Sequence, residues 1–167
     1  MADYKILLVD DDENVINSLK RVLHEDNYNI IGTISAELAE EIVLKEKPDL
    51  IICDYKMFGM NGMDFLNKIS EKYPEIINIL LTGNADLNMA IDAINKSILY
   101  KFILKPWDND DLRVTVKLAL AHKKVLAENR KLLNEIKKRD EYIEKFERQY
   151  PGITSVKRDD KGNIILE

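Results

Sequence analysis

The stretch YKILLVDDD, Tyr4–Asp12, joins a continuous apolar run to three acidic residues. Other apolar runs end at a polar residue in the same way: LIIC precedes Asp54, IINILL precedes Thr82, and Ile98–Leu104 precedes Lys105. Short apolar runs without polar alternation are typical of strands that are buried on both faces. The chain therefore places carboxylate, hydroxyl and ammonium side chains directly after several predicted buried strands.

Helical patterns separate five predicted strands, which are Tyr4–Val9, Asn29–Ile34, Leu50–Cys53, Ile76–Leu81 and Ile98–Leu104. The helices are predicted from apolar side chains that recur at steps of three or four residues. The side chains expected to face inward are Val15, Leu19, Val22, Leu23, Leu38, Ile42, Val43, Phe65, Leu66 and Ile69. Strands that alternate with helices predict an α/β fold, a doubly wound five-stranded parallel sheet covered on both faces.

The composition excludes several classes of protein. The 167 residues include 46 % hydrophobic residues, enough for a packed core, and a single cysteine, Cys53, which cannot form an internal disulfide and fits a reducing cytoplasm. No basic segment followed by an apolar run and no apolar stretch of about 18 residues is present, so neither secretion nor membrane association is expected. Residues 1–107 carry 11 Lys and Arg against 18 Asp and Glu, which argues against direct binding of nucleic acid.

A seven-residue repeat follows Trp107. One series comprises Leu118, Val125, Leu132 and Phe146, with Arg139 at the missing step, and the other comprises His122, Asn129, Ile136, Ile143 and Tyr150. Such a repeat predicts a long helix that forms a coiled coil, and a polar Asn in its seam favours two strands in fixed register. We expect a parallel homodimer, although the same helix could pack on a domain outside this sequence, and Leu118 is also expected to cover part of the sheet.

The residues after the strands form a chemically coherent set. In a doubly wound sheet, ligands bind at the carboxyl ends of the strands. Carboxylates of Asp10, Asp11 and Asp54 at one edge repel each other and favour a hard divalent cation, while Asp12 is expected only to cap the next helix. Lys105 and the hydroxyl of Thr82 suit an added phosphoryl group, which needs a cation and a hydrogen-bond donor.

These positions in this order resemble the receiver domain of bacterial two-component response regulators, which has a flavodoxin-like fold, over residues 3–122. The resemblance implies that Asp54 is a phosphoacceptor for a histidine kinase or phosphotransfer protein. It implies Mg²⁺ as the cofactor, with Asp11, Asp54 and the backbone carbonyl of Lys56 as ligands and Asp10 acting through water. It also implies that Lys105 pairs with the phosphoryl group.

The resemblance assigns the switch to Thr82, which would move to the phosphoryl group, and to Phe102, which would then turn inward. Two residues depart from the usual pattern: Phe58 follows Met57 where the family has Pro, so a looser loop is expected, and Phe102 replaces Tyr. The run from Phe102 to Trp107 resembles receivers attached to ATPase-type transcription activators or to cyclic-dinucleotide phosphodiesterases.

The expected organisation is a receiver at 1–122, a coiled-coil signalling helix at 123–150, and a tail at 151–167 that could begin an absent output domain.

The expected function is a phosphorylation switch and not an enzyme. A Mg²⁺-dependent phosphohydrolase with an aspartyl-phosphate intermediate is the first alternative, and Lys56 counts against it because that class has a second Asp two residues after the nucleophile. A structural dimerisation module with a degenerate receiver is the second alternative, and the intact Asp, Thr and Lys positions count against it.

Overall fold

The computed structural model of the protein describes residues 4–152, and within them strands and helices alternate. The strands are β1 (Lys5–Val9), β2 (Asn29–Thr33), β3 (Leu50–Asp54), β4 (Ile77–Thr82) and β5 (Lys101–Leu104). The α-helices are α1 (Glu13–Leu23), α2 (Ala36–Glu46), α3 (Gly62–Lys72), α4 (Leu87–Asn95) and α5 (Asn109–Gln149). Short 3-10 helices cover His24–Asp26 and Asn84–Asp86.

The five strands form one sheet in the order β2-β1-β3-β4-β5, and every neighbouring pair is parallel. Leu8 on β1 pairs with Ile52 on β3, which in turn pairs with Ile79 on β4. The predicted doubly wound parallel sheet is therefore confirmed. The direction of winding changes between β1 and β3, so their carboxyl ends border the crevice in which such sheets bind ligands.

Two separate cores cover the two faces of the sheet, which is why the strands show no polar alternation. One core packs α2, α3 and α4 against the sheet and includes Val43, Phe65 and Leu66. The other packs α1 and α5 against the opposite face and includes Leu19 and Leu112. Trp107 packs against this second core just before α5 begins.

Side-chain caps set where three helices begin. Asp12 caps α1 by accepting a hydrogen bond from the backbone N–H of Asn14, which confirms its predicted role. Ser35 caps α2, and Asn61 caps α3. Each such cap contributes about 1 kcal/mol of helix stability, and together they fix the loops that lead out of β1, β2 and β3.

Three local predictions were wrong. Leu38 is 49 % exposed, because the inward face of α2 is formed by Ala36, Ala39 and Val43 instead. Leu118 is 57 % exposed and does not cover the sheet, which α5 contacts through other residues. The last strand begins at Lys101 and not at Ile98, because the N–H of Ile98 bonds back to the carbonyl of α4 residue Ala93.

The amino-terminal edge of the sheet is tied to the first part of α5 through Asp49. Its Oδ2 accepts from the backbone N–H of Lys5 at 2.9 Å, and its Oδ1 lies 3.1 Å from the Nζ of Lys123. One carboxylate therefore holds the start of β1 and the region where α5 leaves the sheet.

The chain divides into two compact units between Lys124 and Val125. In the described part of the second unit, α5 continues to Gln149 and a turn ends at Gly152. The predicted tail at 151–167 lies outside the described residues from position 153 onward. Among the described helices, none combines the length and the apolar character that crossing a membrane requires.

Candidate functional site

The three carboxylates predicted to share one edge of the sheet do lie together. Asp10 and Asp54 are 1 % and 6 % exposed, and Asp11 is exposed. One carboxylate oxygen from each of the three lies within 4.8 Å of the other two. This set of hard oxygen donors, with one side open to solvent, fits the preference of Mg²⁺ for a few carboxylates and several waters.

Lys105 brings a positive charge into this cluster from the end of β5. Its Nζ lies 2.7 Å from Oδ1 of Asp54 and 3.1 Å from Oδ2 of Asp10. Its backbone N–H donates to the carbonyl of Thr82 at 2.9 Å, which extends the β4–β5 ladder to the site, and the peptide bond to Pro106 is cis. The lysine therefore offsets part of the mutual repulsion of the buried carboxylates.

Burial and charge act in opposite directions on these groups. Burial raises the pKa of Asp10 above its usual value, although the Asp12 N–H and the charge of Lys105 lower it. Burial lowers the pKa of Lys105, but its hydrogen bond to Asp54 and the charges of Asp10 and Asp54 outweigh burial, so the pKa is raised overall. The lysine is therefore held as a cation, and burying the negative charge of Asp10 costs free energy.

Thr82 closes the site on the side of β4. The residue is 1 % exposed, and its hydroxyl donates to the carbonyl of Gly83 at 3.2 Å. It lines a cavity of about 300 Å³ together with Asp54, Tyr55, Lys56, Gly83, Ala85, Asp86 and Lys105. The Nζ of Lys56 lies 3.4 Å from Oδ2 of Asp86 and so connects the loops that follow β3 and β4.

The loop after β3 is tied to the site where the sequence predicted looseness. The backbone N–H of Phe58 donates to Oδ2 of Asp11 at 3.0 Å, a bond that proline at this position could not make. The Phe58 ring itself is 94 % exposed. The departure from the usual proline thus gives this loop an anchor on an acidic residue of the site.

Gly62 packs closely against the backbone of Asp54. It is the first residue of α3, and a Cβ added to it would lie 1.8 Å from the backbone oxygen of Asp54. Its N–H donates to the carbonyl of Tyr55 at 2.9 Å. The available signal was a glycine directly after a capping Asn, close behind a strand that ends in Asp.

The remaining predicted residues lie away from the carboxylate cluster. Phe102 pairs with Leu80 in the sheet and is half-buried against the α2–α4 core. The ring of His122 stacks at a tilt against Tyr100, with 5.4 Å between ring centroids. The other predicted seam residues are exposed on α5: Leu118, Val125, Asn129, Leu132, Ile136, Ile143 and, in part, Phe146.

Comparisons with known proteins agree with this geometry. The family profile of the response regulator receiver domain matches residues 6–117. The chain is 35 % identical over 115 residues to the hydrogenase transcriptional regulatory protein HoxA of Cupriavidus necator, covering 69 % of this chain but only 24 % of that protein. It is 32 % identical over 117 residues to sporulation initiation phosphotransferase F of Bacillus subtilis, covering 70 % of this chain and 94 % of that protein.

A solved structure gives the same result. The response regulator receiver domain protein of Clostridium thermocellum superposes with a TM-score of 0.69 at 30 % identity, covering 74 % of this chain and 98 % of that one. The match of a family profile to most of the chain, the sheet order and the clustered acidic residues lead to one assignment. The chain belongs to the response regulator receiver domain family, with a long helix following the receiver.

Proposed function

We propose that Asp54 accepts a phosphoryl group from a histidine kinase or a phosphotransfer protein. The observation that best supports this proposal is the 2.7 Å contact between Lys105 Nζ and Asp54 Oδ1. This contact lies beside the carboxylates of Asp10 and Asp11. In the transfer, the N–P bond of a phosphohistidine breaks and an O–P bond to the Asp54 carboxylate forms, while the imidazole takes up a proton. The donor protein and the transfer are proposals; the acidic pocket is observed.

The metal site of this proposal is built from Asp10, Asp11, Asp54 and the backbone carbonyl of Lys56. Mg²⁺ bound there would draw the phosphoryl oxygens and the attacking carboxylate together by offsetting their repulsion. Asp11 and Asp54 would hold the ion directly, and Asp10 would act through a water molecule. Lys56 lines the same cavity as Asp54, which supports the assignment of its carbonyl.

Lys105 and Thr82 would hold the phosphoryl group. Lys105 exchanges part of its contact with the carboxylates for the phosphoryl oxygens, to which its ammonium group is a strong donor. The Thr82 hydroxyl donates to Gly83 in the unmodified protein, so it has a bond to exchange when phosphoryl oxygen becomes available. Because Thr82 and Phe102 lie on adjacent strands β4 and β5, a movement of Thr82 changes the space open to the Phe102 ring.

The signal would then pass to α5 and to a partner. We propose a receiver at 1–122, a signalling helix at 123–150 that pairs in a parallel homodimer, and a tail at 151–167 that leads to an output domain or partner. We also assign the protein to the cytoplasm, where an unpaired cysteine such as Cys53 stays reduced. The chain spans about a quarter of the length of several transcriptional regulators that it resembles.

The test is phosphate incorporation measured by mass spectrometry. Wild type with Mg²⁺ and acetyl phosphate should gain one phosphoryl group, and Asp54→Asn should gain none. Asp64→Asn serves as a matched control, since Asp64 lies on α3 outside the cavity and its loss should leave incorporation intact. Equal incorporation in wild type and Asp54→Asn would overturn the assignment.

A further inference from the structure

Beyond Lys124, α5 carries a stripe of large apolar side chains that are about half exposed within one chain. Their exposed fractions run from 47 % for Ile143 to 56 % for Leu132 and Tyr150. We define the seam as the seven-residue repeat on this stripe: Val125, Asn129, Leu132, Ile136, Arg139, Ile143, Phe146 and Tyr150. A helix with such a stripe gains most of its stability by covering it against another surface.

Arg139 is the exception within the seam, because it places a cation where the repeat has apolar residues. Within residues 4–152 of one chain, Arg139 forms no ion pair, and the ion pair found on this part of α5 joins Arg148 to Glu144 at 3.8 Å. A guanidinium enclosed in an apolar seam without a carboxylate is strongly destabilising. A covering surface that supplies an acidic group at this level would offset that cost.

We propose that a second copy of this chain covers the seam in parallel and in register, with Arg139 of each chain bound by the partner's Asp140. This inference rests on the parallel dimeric helix proposed above and adds its register and the pair of residues that selects it. In a parallel pair, a side chain at the position of Arg139 inserts beside the residue that follows the same position on the partner, which is Asp140. Glu135, four residues before Arg139 on the same helix, completes the charged layer.

The other seam positions fit this arrangement better than an antiparallel one. In register and parallel, each position meets its own copy. Asn129 meets an amide, Leu132 and Ile136 meet apolar side chains, and the like charges of the two Arg139 side chains are offset by the two Asp140 carboxylates beside them. One antiparallel register opposes Arg139 to Ile136 and Asn129 to Phe146, which leaves polar groups against apolar ones. The next antiparallel register brings Glu135 against its own copy, and like charges at that position are repulsive.

Disulfide trapping tests the orientation. A Leu132→Cys chain should cross-link to itself under mild oxidation, because position 132 meets its own copy only in the parallel arrangement. The native thiol does not compete, since Cys53 is fully buried and burial holds its pKa well above the usual value. Mixed disulfides between Leu132→Cys chains and Ile136→Cys or Ile143→Cys chains, in place of self-cross-linking, would overturn the proposal.

Charge reversal tests the role of Arg139 by sedimentation equilibrium of the full chain. Arg139→Glu should weaken the dimer by roughly tenfold to a hundredfold, since it leaves only acidic groups in the layer. Arg139→Glu combined with Asp140→Lys should recover most of the affinity, because the ion pair is restored with reversed charges. Lys138→Glu is the matched control: it makes the same charge change one residue away on the outer face and should leave the dimer intact.

Equal weakening by Lys138→Glu and Arg139→Glu, or no recovery in the double variant, would show that net charge and not the specific pair controls association. A monomer or a tetramer for the wild-type chain would also overturn the proposal. Phosphate incorporation at Asp54 is to be measured on the same variants and should not change. A failed dimer therefore leaves the phosphoacceptor proposal intact, and failed phosphorylation leaves the pairing result intact.

Discussion

The backbone N–H of Phe58 donates to Oδ2 of Asp11 at 3.0 Å, across 47 residues of sequence. This bond holds one acidic residue of the proposed metal site in place before any metal is bound. It depends on the main chain of Phe58, because the ring is 94 % exposed. Substitutions that keep or remove the N–H can therefore separate the role of the backbone from that of the side chain.

Phe58→Pro should lower Mg²⁺ affinity, because it removes the donor that orients Asp11. Phe58→Ala removes the same exposed ring but keeps the N–H, so its affinity should match wild type. Hydrogen-bond partners of metal ligands typically change affinity by about 10–100-fold, and we expect the low end because Asp11 is exposed. Calorimetric titration with Mg²⁺ measures both variants, and equal affinities would exclude this role for the bond.

Lys105→Ala should bind Mg²⁺ more tightly than wild type, by about tenfold or more, because a cation in contact with Asp10 and Asp54 is lost. The same variant should respond poorly to phosphorylation, since the contact to the phosphoryl group is also lost. Lys105→Arg keeps the charge and should leave Mg²⁺ affinity closer to wild type. Weaker Mg²⁺ binding by Lys105→Ala would contradict the proposed competition between lysine and metal.

Asp10→Asn should raise the melting temperature in EDTA at neutral pH. The pKa of Asp10 is raised in the folded protein by burial, so folding favours the protonated form. The stability that this preference contributes is complete below the unfolded pKa of about 3.8 and is lost as pH rises through the folded pKa. The amide stays neutral throughout and still accepts from the Asp12 N–H.

The gain in melting temperature should therefore shrink as pH is lowered through the raised pKa of Asp10, because the wild-type carboxyl then becomes protonated. Asp11→Asn is the control, since Asp11 is exposed and its neutralisation relieves little desolvation. Thermal scans across this pH range provide the measurement. A gain that is independent of pH would show that the ionised carboxylate is not its source.

Gly62→Ala should destabilise the receiver by about 2–4 kcal/mol, because its Cβ would overlap the backbone oxygen of Asp54 at 1.8 Å. Gly83→Ala makes the same chemical change beside the same cavity, but its Cβ would meet nothing within 4 Å. The control should stay within about 0.5 kcal/mol of wild type. Urea unfolding of the three proteins distinguishes them, and similar stabilities would refute the packing argument.

Phe102→Ala should reduce the change that beryllofluoride produces at the start of α5. Phe102 lies three residues before Lys105, and Trp107 packs into the core that α5 covers. Burying the rest of a half-buried phenyl ring contributes roughly 1–2 kcal/mol to the population of an inward state. Trp107 fluorescence with and without beryllofluoride is the readout, and an equal change in wild type and variant would assign Phe102 to the core alone.

Four of the five strands were predictable because their mainly apolar runs end at Asp10, Asp54, Thr82 and Lys105. Parallel strands have their carboxyl ends at one edge, so the predicted order of residues already implied that the carboxylates meet. The inward face of α2 was not predictable in the same way. Leu38 is the larger apolar residue, but Ala39 has the position that faces the sheet and the small side chain that a close helix needs.

Contacts that depend on the backbone were beyond the sequence pattern. The Phe58 N–H reaches Asp11 only because two loops meet at the sheet edge, and no residue type signals a main-chain donor. The roles of Phe102 and of the seam remain predictions of the same kind, since they concern states and partners outside one unmodified chain. The sequence thus predicts which side chains lie together at the site, whereas backbone hydrogen bonds such as the one from Phe58 to Asp11 restrict the orientation of each side chain.

The contact between Asp49 and Lys123 limits how the receiver portion of α5 can move. This portion begins just after the strand end that carries Lys105, and Lys123 is fixed at the opposite edge of the sheet by a carboxylate that also holds β1. Because the Nζ of Lys123 lies off the helix axis, tilting of the segment and rotation about its axis would both lengthen this contact. Any displacement of this part of α5 is therefore opposed at Asp49 and is felt at the start of β1.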